Sequence, residues 1–322
     1  MGAHAHDHLA SVPVQRLGVV FPDRSVPVRA QRACVEQLAT WGYTDLWAGE
    51  SDGVDAFTPL ALAAGWGTPL RLGTAVVSAF LHPPALLAMT AASLAEAATG
   101  GVVLGLGASS PVIVERWNGV PFTDPVGRVR ETASFVRAVL AGERRRGFAL
   151  ARPPRPVPPV YLAALRPGML RLAREVAEGV ILTCVGVEDL AAIGPHLAPG
   201  REVVAWITVC PSDDHAHVRS VARRRLAGYL AAPAYAAQQR WLGRGDVLEG
   251  VWDAWRSGAG VDAAASAIPD HVIDALVVHG SADECRAHLD RFVAAGVTTP
   301  LVEVLPGVMD VGEAWRRLAP NA

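Results

Sequence analysis

Leu70-Arg-Leu-Gly-Thr-Ala-Val-Val77, then Pro84-Ala-Leu-Leu-Ala-Met-Thr-Ala-Ala-Ser-Leu-Ala-Glu-Ala97, then Gly101-Val-Val-Leu-Gly-Leu106 is the stretch that decides the fold. A short apolar run reads as a strand buried on both faces. A prolyl-initiated, Ala- and Leu-rich segment reads as a helix. A second apolar run follows at once. Strand, helix, strand in that order argues a parallel pair with a crossover.

The same rhythm extends both ways. Strands are expected at Leu17–Phe21, Thr44–Ala48, Leu70–Val77, Gly101–Leu106, Val160–Ala164, Gly179–Cys184, Val203–Cys210 and Thr299–Leu305. Helices are expected at Val28–Trp41, Pro84–Ala97, Pro125–Ala141 and Pro167–Ala177. Eight strands in 322 residues fit an α/β fold of the (β/α)8, or TIM-barrel, type. A doubly wound open sheet is the rival. Residues 1–15, with His4, His6 and His8, read as a flexible tail, and 16–322 as one barrel domain. Residues 212–298 read as a mainly helical insertion between the last two strands, either a lid or an interface.

Composition narrows the chemistry. Hydrophobic residues are 51% of the chain, and 29 cations against 31 acids leave a net charge of −2. That balance gives no electrostatic case for nucleic acid or an acidic membrane. All 29 cations are arginine, as a GC-rich coding sequence would favour. Without lysine there is no Schiff-base nucleophile and no P-loop. The four cysteines, Cys34, Cys184, Cys210 and Cys285, are scattered, so neither a zinc knuckle nor a disulfide framework is expected. No metal-ligand spacing stands out. With no signal peptide and no membrane span in view, a soluble cytoplasmic protein is expected.

In a barrel the functional groups sit at the C-terminal ends of the strands. Glu50 and Ser51 follow the second strand, with Asp52 beside them. Glu50 is a candidate proton donor or a loop carboxylate. His82, ahead of Pro83 and Pro84, is a second proton carrier or a helix cap. Trp47 and Trp117 either stack on a flat cofactor or fill the core. Gly105-Leu-Gly107-Ala-Ser-Ser110 departs from the dinucleotide fingerprint at its third glycine and reads as a tight turn near a ligand. Ala164, Leu165, Arg166 and Gly168 offer backbone N–H groups and one guanidinium at a helix start, which suits a phosphate.

Taken in order, several segments resemble the bacterial luciferase-like superfamily, especially its actinobacterial deazaflavin (coenzyme F420) branch. They are Gly42–Ser51, Leu72–Val76, His82-Pro83, Gly100–Gly107, Ala163–Pro167, Val176–Val180 and Pro300–Val302. The resemblance implies a barrel with a flavin-like ring over the strand ends, backed by a bulge at Ala75-Val76 that often holds a non-prolyl cis peptide. With the strand-end reading above, cofactor contacts are expected at Trp47, Ala75, Val76, Gly105, Gly107, Ala164, Leu165, Arg166 and Gly168. The resemblance also implies a small-molecule substrate and a homodimer. Relatives that oxidise alcohols carry Asp-His where this chain has Glu50-Ser51, and some carry an acid at the position of Ser110. Those departures favour reduction of an activated double bond or imine, with Glu50 or water as proton donor. An FMN-dependent monooxygenase of secondary metabolism is the alternative. A non-catalytic flavin-binding barrel is the third reading.

Overall fold

The computed structural model describes residues 16–321. The expected tail at 1–15 lies outside them. Ten parallel strands form the sheet: β1 (Gly18–Val20), β2 (Asp45–Ala48), β3 (Arg71–Thr74), β4 (Val77–Ser78), β5 (Val102–Gly107), β6 (Val160–Ala163), β7 (Gly179–Thr183), β8 (Glu202–Cys210), β9 (Val277–His279) and β10 (Thr299–Val304). β10 pairs with both β1 and β8, so the sheet closes on itself. Closure excludes the open-sheet rival. The result is an eight-stranded TIM barrel in which β3 and β4 are two parts of one position.

Helices surround it: α1 (Arg32–Leu38), α2 (Phe57–Gly65), α3 (Pro84–Ala97), α4 (Pro125–Leu140), α5 (Pro167–Val176), α6 (Leu190–Ile193), α7 (His215–Ala231), α8 (Pro233–Trp241), α9 (Gly245–Arg256), α10 (Val261–Ser266), α11 (Asp270–Leu276), α12 (Ala282–Ala294) and α13 (Val311–Arg317). Prolines stand at the first helical position of α3, α4, α5 and α8, where no backbone donor is needed.

Three expectations need correction. The strand expected at Leu70–Val77 is broken, because the Ala75–Val76 peptide is cis and interrupts the ladder between β3 and β4. The helix expected at Val28–Trp41 is a 3-10 turn (Val28–Gln31) leading into the short α1. The insertion is not wholly helical. Val277-Val278-His279 pairs with Thr208–Cys210 as β9, beyond the point where β7 leaves β8. Helices α7, α9, α10 and α11 otherwise share a core of their own, centred on Leu226, Leu230, Leu248, Trp252 and Ile273.

The barrel interior is filled by size complementarity. Trp47 and Tyr161 occupy it with Val103, Ile181, Val204 and Leu301. Glycines make the room. A Cβ on Gly73 would come within 2.3 Å of the Trp47 indole, and one on Gly179 within 2.8 Å of the Tyr161 ring. Full burial of such aromatic side chains stabilises the fold by roughly 3 kcal/mol each.

Candidate functional site

Above the interior layer lies a shallow apolar floor. Val20, Ala75, Val76 and Trp206 are only partly buried and pack on the cluster beneath. The kinked Ala75–Val76 segment sits close on two glycines. A Cβ on Gly49 would meet the Ala75 carbonyl oxygen at 2.6 Å, and one on Gly107 would meet Val76 Cγ2 at 2.7 Å. Gly107 is itself buried, so it acts by letting Val76 approach. Gly105 lies deeper, where a Cβ would strike the Thr74 carbonyl at 1.8 Å. Thr74 Oγ1 is also bonded to both the N–H and C=O of Gly105, at 2.8 Å. The expected cofactor contact of Gly105 is therefore corrected: it serves strand packing. Trp47 is corrected likewise. It is 0% exposed and its indole points toward Asp45, so it cannot stack on a ring above the floor. Trp117, in contrast, is 53% exposed on a π-helical turn, Val112–Trp117.

The rim carries the acid–base groups. His82 Nε2 lies 2.9 and 3.0 Å from the two oxygens of Glu50. Both side chains are about four-fifths buried (18% and 23% exposed). Glu50 reaches there from the loop after β2, whose backbone N–H donates to the Val76 carbonyl at 3.4 Å. His82 comes from the turn before α3, and the edge of Phe57 rests against its ring. A histidine absent from position 51 thus meets Glu50 from 32 residues further along the chain.

Ser51 does not join that pair. Its hydroxyl accepts from Arg24 at 2.5 Å and donates to Asp52 at 3.0 Å, in an exposed cluster. The Ser51 hydrogen bond holds the Asp52 carboxyl below its usual range, and burial opposes that less strongly than Arg24 and Ser51 together favour it. Ser110 spends its hydroxyl on the Ile113 N–H at 3.3 Å.

On the far side of the floor, Glu303 of β10 accepts from Trp206 Nε1 and Thr208 Oγ1, each at 3.1 Å. Arg225 of α7 pairs with its other oxygen. Glu303, Trp206 and Thr208 were not singled out from the sequence. The signal was available: Glu303 interrupts an apolar strand, Pro300-Leu-Val-Glu-Val-Leu305, and Trp206 and Thr208 alternate along theirs. Cys184, also near this wall, has its thiol pushed up to about 12 by desolvation, which disfavours its thiolate.

The start of α5 has no side-chain cap. Arg166 precedes it in an extended conformation and is exposed, while Ala164 is buried and Leu165 and Gly168 half-buried. Uncapped N–H groups with a guanidinium beside them suit an anion. Among the described residues no group of three or more His, Cys, Asp or Glu is placed to hold a metal ion. No helix among them is long and apolar enough to cross a membrane.

Comparison with known proteins agrees with this geometry. A family model described as luciferase-like monooxygenase matches residues 14–299. A Mycobacterium tuberculosis protein provisionally named a coenzyme F420-dependent oxidoreductase is 30% identical over 304 residues, covering 81% of this chain and 86% of that one. A 5,10-methylenetetrahydromethanopterin reductase from Methanolobus tindarius is 24% identical over 285 residues, covering 80% and 84%. The structure of the coenzyme F420-dependent tetrahydromethanopterin reductase from Methanopyrus kandleri superposes with a TM-score of 0.77 at 17% identity, covering 95% of this chain and 98% of that one.

Proposed function

The chain belongs to the luciferase-like family, and from that premise we propose that it is an F420-dependent oxidoreductase working in the reductive direction on a small organic substrate. The observation that carries the reading is the Glu50–His82 pair at the rim of a flat apolar floor. The residues present fit the cofactor. Ala75, Val76 and Trp206 offer a surface for a planar ring, and Gly49 and Gly107 let the kink lie close. Ala164, Leu165, Arg166 and Gly168 would hold its phosphate. When bound, F420 supplies hydride chemistry.

The protein supplies the rest. The floor fixes the plane on which a ring rests, and a bound ring would displace water from it. Glu50 holds a proton within reach of the substrate, and His82 Nε2, in contact with both carboxylate oxygens, replenishes it. The pair also argues against a non-catalytic barrel, since a proton carrier survives without a histidine at position 51. A homodimer through α2 and α3 is part of the proposal. These neighbouring helices expose Leu62, Leu86 and Met89, apolar side chains that association would cover.

Separate fluorescence titrations with F420 and with FMN test the cofactor. Tight F420 binding with no FMN binding is expected; the reverse result overturns the assignment in favour of a monooxygenase, and binding of neither overturns both. Light scattering after gel filtration tests the dimer, and a monomer at micromolar concentration overturns it.

A further inference from the structure

Beside the floor, between the strand ends of β1, β2, β8 and β10, opens a cleft with a cavity volume of about 50 Å³. Its apolar lining includes Val20, Val54, Trp206 and Val304. Two arginines stand on its walls, and both are already paired. Arg225 is spent on Glu303, and Arg24 on Asp52 and the Ser51 hydroxyl. Asp23, also on the wall, caps its own turn through the Ser25 amide and hydroxyl. Among the described residues the cleft therefore presents no unpaired cation, and its one carboxylate without an arginine already serves as a local cap.

We propose that this cleft is the substrate subsite and that it selects uncharged, largely apolar organic molecules. This rests on the proposed oxidoreductase reading only for the word substrate; the binding preference stands on the cleft itself. A charged ligand in the cleft would have to take Arg225 from Glu303, a largely buried pair whose loss costs more than the apolar contact returns, while the Arg24–Asp52 pair faces solvent, which screens it. Trp206 is the specificity-determining wall. Its indole edge lies against Gly49, beside the Ala75 carbonyl, so cleft and floor are continuous. Glu303 is a positioning residue. By accepting from Trp206 Nε1 it fixes the indole plane, and by pairing with Arg225 it cancels the guanidinium charge facing the cleft.

Three ring-matched probes test this on the purified protein without cofactor: cyclohexanone, cyclohexanecarboxylate and cyclohexylammonium, each titrated by ligand-observed NMR. Cyclohexanone is expected to bind at least about tenfold more tightly than either ion. Trp206→Ala should weaken it about tenfold. Glu303→Gln keeps an acceptor for the indole but frees Arg225, so it should retain cyclohexanone binding and raise carboxylate affinity about tenfold. Equal or tighter binding of either ion to the unaltered protein overturns the proposal. So does cyclohexanone binding unchanged in Trp206→Ala, no gain of carboxylate affinity in Glu303→Gln, or no cyclohexanone binding up to the probe's solubility. Circular dichroism of each variant separates a lost site from a lost fold. Failure of F420 binding with the probe preference intact would overturn the cofactor reading and leave this one standing.

Discussion

The two ends of the barrel hold similar residues and treat them in opposite ways. At the N-terminal end Asp45, fully buried, accepts from Arg16 at 3.1 Å and from Thr44 at 2.6 Å, and pairs with Arg71. Arg71 also spans both oxygens of Glu202, at 2.8 and 2.9 Å, and its guanidinium lies over Trp47. Nearly every donor there meets an acceptor. At the C-terminal end Glu50 and His82 have each other and little else, under a cover that solvent still reaches. A saturated network closes the barrel floor and is costly to disturb. A sparse pair keeps capacity for a ligand and contributes little to stability. The same side-chain chemistry is saturated at the bottom of the barrel and, in the proposed function, left free to act at the rim.

That contrast can be broken at either end. The largest effect is expected from Arg71→Met, which takes from the buried Asp45 carboxylate one of its two guanidinium partners and leaves Glu202 without its bidentate one. The loss of one partner of a buried pair costs about 3–5 kcal/mol. A fall in the urea midpoint checks it, and an unchanged midpoint would show that Arg16 and Thr44 suffice for Asp45. Glu50→Gln should do the reverse. Turnover is expected to drop about 100-fold, the usual worth of a positioned acid or base, with the urea midpoint and cofactor affinity nearly unchanged. Full turnover in that variant removes Glu50 from the proton path.

Acid provides a third, smaller probe of the bottom network. Burial opposes ionisation of Glu202, but hydrogen bonds and charge from Arg71 outweigh it, so its carboxyl titrates below the ordinary value. Its contribution to stability is complete above the ordinary carboxylate range and is lost as pH falls through the lowered value. Stability of the natural protein should therefore decline more steeply below about pH 4.5 than that of Glu202→Gln. Parallel curves would show that Glu202 does not carry the acid sensitivity. The smallest effect is expected from Arg166→Ala. An exposed guanidinium on a phosphate should weaken F420 binding by about tenfold or less, leaving turnover at saturation intact. Unchanged affinity would place the phosphate elsewhere.

Most of the barrel was legible because buried parallel strands announce themselves as apolar runs, and all eight expected strand positions are occupied. The break at Ala75–Val76 came from the family resemblance, since a run such as Thr-Ala-Val-Val has no local mark of a kink. β9 was missed because a three-residue strand beside helical sequence lacks any period. Glu50 and His82 were each legible as candidates from their places after strands, but their contact was not, because nothing local links positions 32 apart. Trp47 misled for a simple reason: an indole one residue from a strand end points into the interior or out of it according to pleat, and here it points in.

By itself the sequence determined the alternation of strand and helix, the absence of lysine chemistry, and which residue types stand at the strand ends. Those follow from periodicity and composition, which are local. Tertiary structure alone decided barrel closure, the joining of Glu50 to His82, and the clasp of Glu303 on Trp206 and Arg225. Each depends on groups far apart in the chain meeting in space, as Glu303 meets Thr208 in register across β10 and β8. Long-range register and facing direction carry no local signal, so only the folded chain sets them.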